Sequence, residues 1–168
     1  MANTIDSAIT EKLCGLPPDE MLPYFLSVKD DIIDDSDYWQ LLAAVWMSTE
    51  ICSPYLRIWR DLFTEPRRNR HKMMKGADRK VWRDLVKRGA PKMVRVYRAM
   101  NEGDDVLFSL SWTLSKTVAQ KLSKGRRVFS WEIPKECIIA YFNRRKEQEV
   151  IVMWEEVKIR GQVAVRMI

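Results

Sequence analysis

The sequence predicts an α+β fold, a helical first half followed by a small, mostly antiparallel β-sheet. Three observations predict it. Up to about residue 90, apolar residues recur at helical spacing between capping and stop signals. From residue 92 they fall instead into short β-branched and aromatic runs. Within that second half, Glu147-Gln148-Glu149 runs straight into Val150-Ile151-Val152. After the loop-like Asn143-Arg144-Arg145-Lys146, this reads as paired acids at the mouth of a buried strand. Strand alternation would put Glu147 and Glu149 on one face. Two carboxylates held side by side repel unless a cation or polar substrate lies between them.

The elements follow in order. Tyr38 to Met47 is densely apolar and predicts a mostly buried helix. Pro54 suits the first turn of the next helix, with Tyr55, Ile58, Trp59 and Leu62 at helical spacing. Asp78 is an expected N-cap, Val81, Trp82, Leu85 and Val86 a stripe, and Gly89 with Pro91 a stop. Met93 to Arg98 is a short strand. Ser115 caps a short helix carrying Val118, Ala119 and Leu122 and ended by Gly125. Val128 to Ile133 alternates, with Phe129, Trp131 and Ile133 on one face. Cys137 to Phe142 and Glu149 to Trp154 are further strands, and Val157 to Ile168 one or two more, broken at Gly161.

Composition narrows the function. A chain of 168 residues, 46% apolar, is expected to fold as a single domain, 1–168, with a helical portion over 1–90 and a β-rich core over 91–168. Cys14, Cys52 and Cys137 form no CxxC pair, which supports neither a zinc site nor a disulfide framework and suits a reducing compartment. No signal peptide or membrane span is read, so a soluble, cytoplasmic protein is expected. The one histidine, His71, reads as a surface residue, which excludes a His/Cys metal cluster. Asp30, Asp31, Asp34, Asp35 and Asp37 lack the glycine and closing glutamate of a calcium loop and read as a turn and cap. The basic run from Pro66 to Arg83 reads as one solvated helix face. A net charge of +6 favours acidic partners.

Three pieces of the second half belong together. Val94-Arg95-Val96-Tyr97-Arg98-Ala99 is a strand ending in arginine. Phe108 to Ser115, with Ser111-Trp112-Thr113 at its centre, is a strand turning into a capped helix. Glu147-Gln148-Glu149 enters a strand. This order resembles the arginine–serine–glutamate class of the mono-ADP-ribosyltransferase superfamily, in versions found in compact phage-encoded and bacterial members. The resemblance covers about Val94 to Val152. Trp112 stands where the common middle motif has threonine, and the loops between Ser111 and Glu149 are trimmed.

The resemblance implies a helical half packed on a split sheet, with an NAD cleft between the sheet's two parts. It implies NAD as substrate and cleavage of the nicotinamide–ribose bond through an oxocarbenium-like state. Glu149 would stabilise that charge, and Arg98, with Ala99 beside it, would hold phosphate or ribose oxygens. Ser111 would brace Glu149, with Trp112 and Thr113 beside it at the cofactor. Glu147 would orient an acceptor arginine and take its proton. The implied partner is a target protein, from a host or rival cell if the chain is a phage or bacterial effector (the host cytoplasm if phage-encoded), with no membrane and with nucleic acid as the lesser expectation. NAD hydrolysis alone, nucleic-acid modification, and a non-enzymatic binding module on the same fold are the alternatives. Taken singly, Arg98, Ser111, Thr113 and the two glutamates have ordinary readings as strand-end, turn and solvated-edge residues. Their joint order points to the enzyme.

Overall fold

The computed structural model describes residues 4–49, 56–104, 109–153 and 164–167. The chain divides into two compact units, Met1–Lys75 and Gly76–Ile168.

The first unit holds α1 (Thr4–Cys14), α2 (Pro18–Val28), α3 (Asp35–Ser48), α4 (Leu56–Phe63) and a 3₁₀ turn over Arg70–Met73. The first two helices have no counterpart in the residue-by-residue reading. Pro18 starts α2, where its missing N–H costs nothing. Asp34 caps α3 by accepting from the Ser36 and Asp37 amides at 2.7 and 3.1 Å, as the turn-and-cap reading expects. The core is aromatic: Trp46 meets Trp59 edge-on at 4.9 Å and Phe63 at 5.1 Å. Pro54 and Tyr55 lie outside the described residues, but Trp59 and Leu62 are buried as their spacing predicts.

The basic run is not one helix face. Asn69, with φ of 62°, interrupts it ahead of the 3₁₀ turn, and a helix resumes only at Gly76. Arg67 is a packing element, its guanidinium 4.5 Å from the Tyr38 ring and donating to the Ile32 and Lys29 carbonyls at 2.9 and 3.0 Å.

In the second unit, α5 (Gly76–Val86) belongs with the sheet, so the division falls at residue 75 and not near residue 90. Its Trp82 indole donates to the Ile138 carbonyl at 2.9 Å. Asp78 lies in the first turn and is not the cap, because the helix already begins at Gly76. The expected stripe is only partly covered, Val81 being 38% exposed. Lys135 is buried and donates to the Lys87 and Ala90 carbonyls at 2.7 and 3.1 Å, just beyond the helix end where a cation is favoured.

The strands are β1 (Met93–Met100), β2 (Ser111–Thr113), β3 (Arg127–Pro134), β4 (Ile138–Phe142), β5 (Glu149–Val152) and β6 (Ala164–Met167), with α6 (Lys116–Ser123) between β2 and β3. They form one antiparallel sheet in the order β4-β5-β2-β1-β3-β6. The fold is therefore α+β, as the sequence predicts. Trp154, Val157 and Gly161 lie outside the described residues. β1 and β2 meet at one registered pair, Tyr97 and Thr113, so the sheet is nearly split into β4-β5-β2 and β1-β3-β6. Every residue of β4 is buried, as are Val150, Ile151 and Val152 of β5.

Asp6 of α1 is 1% exposed and accepts from the Ile33 and Asp34 amides at 2.9 and 2.8 Å. Asp6→Ala leaves both donors unpaired and is expected to cost about 2–3 kcal/mol in urea unfolding. Asp6→Asn, which keeps one acceptor, should recover part of that loss.

Candidate active site

The seam between the two halves of the sheet opens into a cleft of about 160 Å³. Arg98, Ala99, Ser111, Trp112, Thr113, Glu147 and Glu149 all line it, so the structure brings together every site residue that the sequence predicts. β1 supplies Arg98 and Ala99, β2 supplies Ser111 to Thr113, and the entry to β5 supplies the glutamates.

Register explains the convergence. Thr113 lies opposite Glu149 and Ser111 opposite Ile151. Directly opposed residues share a face, and so do residues two apart on one strand. Ser111 is therefore the diagonal neighbour of Glu149, and its hydroxyl donates to Glu149 Oε1. A hydroxyl on a carboxylate is a charge-assisted bond, on the order of 1.5–3 kcal/mol where water is excluded. Arg98 Nη1 donates to the Ser111 carbonyl, so the same residue positions the acid and the cation.

Arg98 is a cation with bonding capacity to spare. Its Nε is buried and meets no hydrogen-bond partner among the described residues. Burial is the main influence holding the guanidinium below its ordinary range. The Arg126 charge adds to it, and the charges of Asp104 and Glu149 oppose it. The group still carries its proton at neutral pH. A ligand with anionic oxygens would satisfy it.

Trp112 borders the cleft, but its indole is not a stacking platform. Alternation turns it to the other face of β2, where it is 2% exposed and lies 5.7 Å from Trp131, nearly parallel. Its Nε1 donates to the Ser109 carbonyl at 2.9 Å. Trp112 thus lines the cleft while its ring is packed as core.

The glutamate pair is delivered differently from strand alternation. β5 begins only at Glu149, and Glu147 ends a 3₁₀ turn over Arg144–Lys146. Between the two, Gln148 has φ of 48°, and Arg145 and Lys146 have φ of 54° and 60°. Left-handed backbone at non-glycine residues costs on the order of 1 kcal/mol each and persists only where surroundings enforce it. Here Thr113 does so. Its hydroxyl donates to the Glu147 carbonyl at 2.7 Å and accepts from the Ser115 amide at 3.0 Å. The Leu114 amide holds the Gln148 carbonyl at 3.1 Å, and Asn143 Oδ1 accepts from the Gln148 amide at 3.3 Å.

Four lining residues escaped the sequence reading: Tyr97, Ala119, Leu122 and Arg126. Ala119 and Leu122 are one turn apart on α6, and their helical spacing was the available signal. Arg126 follows the left-handed pair Lys124 and Gly125, with φ of 47° and 85°, which turns the chain back over the helix end. There its Nε and Nη2 donate to the Ser123 and Leu122 carbonyls, each at 2.9 Å. Arg126 also borders a second depression of about 470 Å³, lined by Met100 to Asp104, Arg127 and Phe129. His71, in the first unit, does not line the cleft, and no metal-binding group of three or more His, Cys, Asp or Glu occurs among the described residues. Among those residues no helix is long and apolar enough to cross a membrane.

No protein-family model, no curated protein and no solved structure matches this chain.

Thr113→Val is isosteric but removes both hydroxyl bonds. It is expected to cost about 2 kcal/mol in thermal unfolding and to speed amide exchange at Ser115.

Proposed function

We propose that the chain is a mono-ADP-ribosyltransferase that cleaves NAD and transfers ADP-ribose to an arginine of a target protein. The observation that carries this reading is the bonded line Arg98–Ser111–Glu149, in which one strand residue braces a carboxylate and anchors a guanidinium across the sheet seam.

The roles follow from chemistry. As the bond from ribose C1 to the nicotinamide nitrogen breaks, the bonding electrons leave with nicotinamide and C1 becomes cationic. Glu149, held by Ser111, presents negative charge where that cation forms. Arg98 offers its unpaired Nε and its charge to the diphosphate or a ribose oxygen, and Arg126, across the cleft wall, adds a second cation. The acceptor guanidinium nitrogen then bonds to C1. Its proton passes to Glu147, without which a group of such high pKa is a very poor nucleophile.

The reading is tested with a labelled NAD analogue, purified protein and a bacterial lysate. Protease-sensitive label with the wild type and none with Glu149→Ala is the expected result; nuclease-sensitive label would redirect the reading to nucleic acid. Glu149→Gln should lower NAD cleavage by at least about a hundredfold while thermal unfolding stays close to the wild type. Glu147→Gln should lose transfer and keep NAD cleavage, and parallel loss of both would remove the acceptor role. Arg126→Ala should raise KM for NAD roughly tenfold with little change in kcat, as loss of a charge-assisted contact predicts.

A further inference from the structure

The unit that carries the cleft is strongly basic. Gly76–Ile168 holds 20 Lys and Arg against 11 Asp and Glu, a net charge of +9, whereas Met1–Lys75 holds 9 against 12, a net charge of −3. Three of these cations, Arg144, Arg145 and Lys146, are consecutive and exposed, and none forms an ion pair among the described residues. They form the turn that ends at Glu147, a cleft-lining residue. Left-handed backbone at Arg145 and Lys146 keeps the three residues in one tight turn, and among the described residues no anion is bonded to them.

The cleft mouth is thus two-signed, with a cationic triplet adjoining a pair of carboxylates. Its complement is a positive side chain with negative neighbours. A nucleic-acid strand answers the triplet but brings only negative charge to Glu147. An acidic protein segment containing an arginine answers both. We infer that the target is a protein segment whose acceptor arginine is flanked by aspartate or glutamate, read by Arg144, Arg145 and Lys146. This inference rests on the arginine-directed reading above and adds to it the chemistry of the acceptor's surroundings.

The test is a binding measurement that needs no turnover. Two fluorescein-labelled peptides, each with one central arginine flanked by Asp and Glu or by Asn and Gln, are titrated with the wild type and with Arg144→Ala/Arg145→Asn/Lys146→Asn. Asparagine tolerates the left-handed backbone at the last two positions. The acidic peptide is expected to bind the wild type roughly tenfold more tightly, the sum expected of three exposed charge pairs. That preference should shrink as salt is added and vanish in the triple variant. Equal binding of both peptides, binding of neither, or a preference that survives in the triple variant overturns the inference. A single-stranded oligonucleotide of the same charge that displaces the acidic peptide at lower concentration overturns the partner class. Adding labelled NAD to the same wild-type mixtures separates the two readings. An acidic-peptide preference with neither NAD cleavage nor transfer sinks the transferase and leaves the surface standing. Equal transfer to both peptides keeps the transferase and sinks the acidic flank.

Discussion

The site depends on the pairing of a three-residue strand, β2, with β5. That pairing places Thr113 opposite Glu149 and lets Ser111 reach the same carboxylate diagonally. So short a ladder gives few backbone bonds, and a slip of one residue would turn both hydroxyls into the core. Trp112 prevents the slip. Its indole is buried against Trp131 with its N–H bonded to the Ser109 carbonyl, and a slip would break both contacts. A large aromatic between two small hydroxyl residues is thus a register device.

Thr113 extends the constraint to the loop. One hydroxyl joins the start of the α6 cap to the carbonyl of Glu147, so the helix entry and the acidic loop are tied to the same strand. This tie makes the left-handed residues intelligible, because a loop free to relax would not keep Gln148 at φ of 48° beside two further positive-φ residues. The strain sits where two carboxylates face one cleft, and their mutual repulsion adds to what the Thr113 tie must hold. The nearby guanidinium of Arg98 offsets part of that repulsion, and its buried Nε retains an unmet need for an acceptor.

What was legible in the sequence follows from which signals are local. Alternation, caps and the positive-φ glycine at residue 125 are local, and they located β1, α6, β3 and β4 closely. The seven expected site residues were picked out together, by the resemblance that their order in the sequence carries, and the structure sets all seven along one cleft. Arg126 was not picked out, since its place comes from a left-handed turn at Lys124, a residue type that gives no warning of that backbone. The same limit explains Glu147 and Glu149. Their spacing suggested one strand face, whereas Gln148 takes them to one cleft by a turn. In the first unit, α1 and α2 are short, and the buried acid of α1 is satisfied by amides 27 and 28 residues away, a contact that no window on the sequence contains. The division at residue 75 was likewise set by Trp82 bonding to β4, a tertiary contact.

The seam gives these local facts a mechanical meaning. Strands joined along their length leave no room between them for a ligand, and strands that do not touch cannot hold groups at fixed distances. β1 and β2 share one registered pair among the described residues, Tyr97 and Thr113. Each strand is otherwise held by a longer ladder on its far side, β1 to β3 over eight residues and β2 to β5 over its full length. The cleft therefore opens between two laddered sets of strands, with α6, Arg126 and the Glu147 turn completing its wall. The Arg98 contact to the Ser111 carbonyl crosses the gap as a second tie made by a side chain. A ligand that engaged Arg98 more strongly than this carbonyl does would compete for the same donors. Binding at the cation would then be coupled to the width of the seam and, through Ser111, to the placement of Glu149. In this arrangement the Arg98 guanidinium and the Glu149 carboxylate are both bonded to one strand residue, so a shift of Ser111 would displace both.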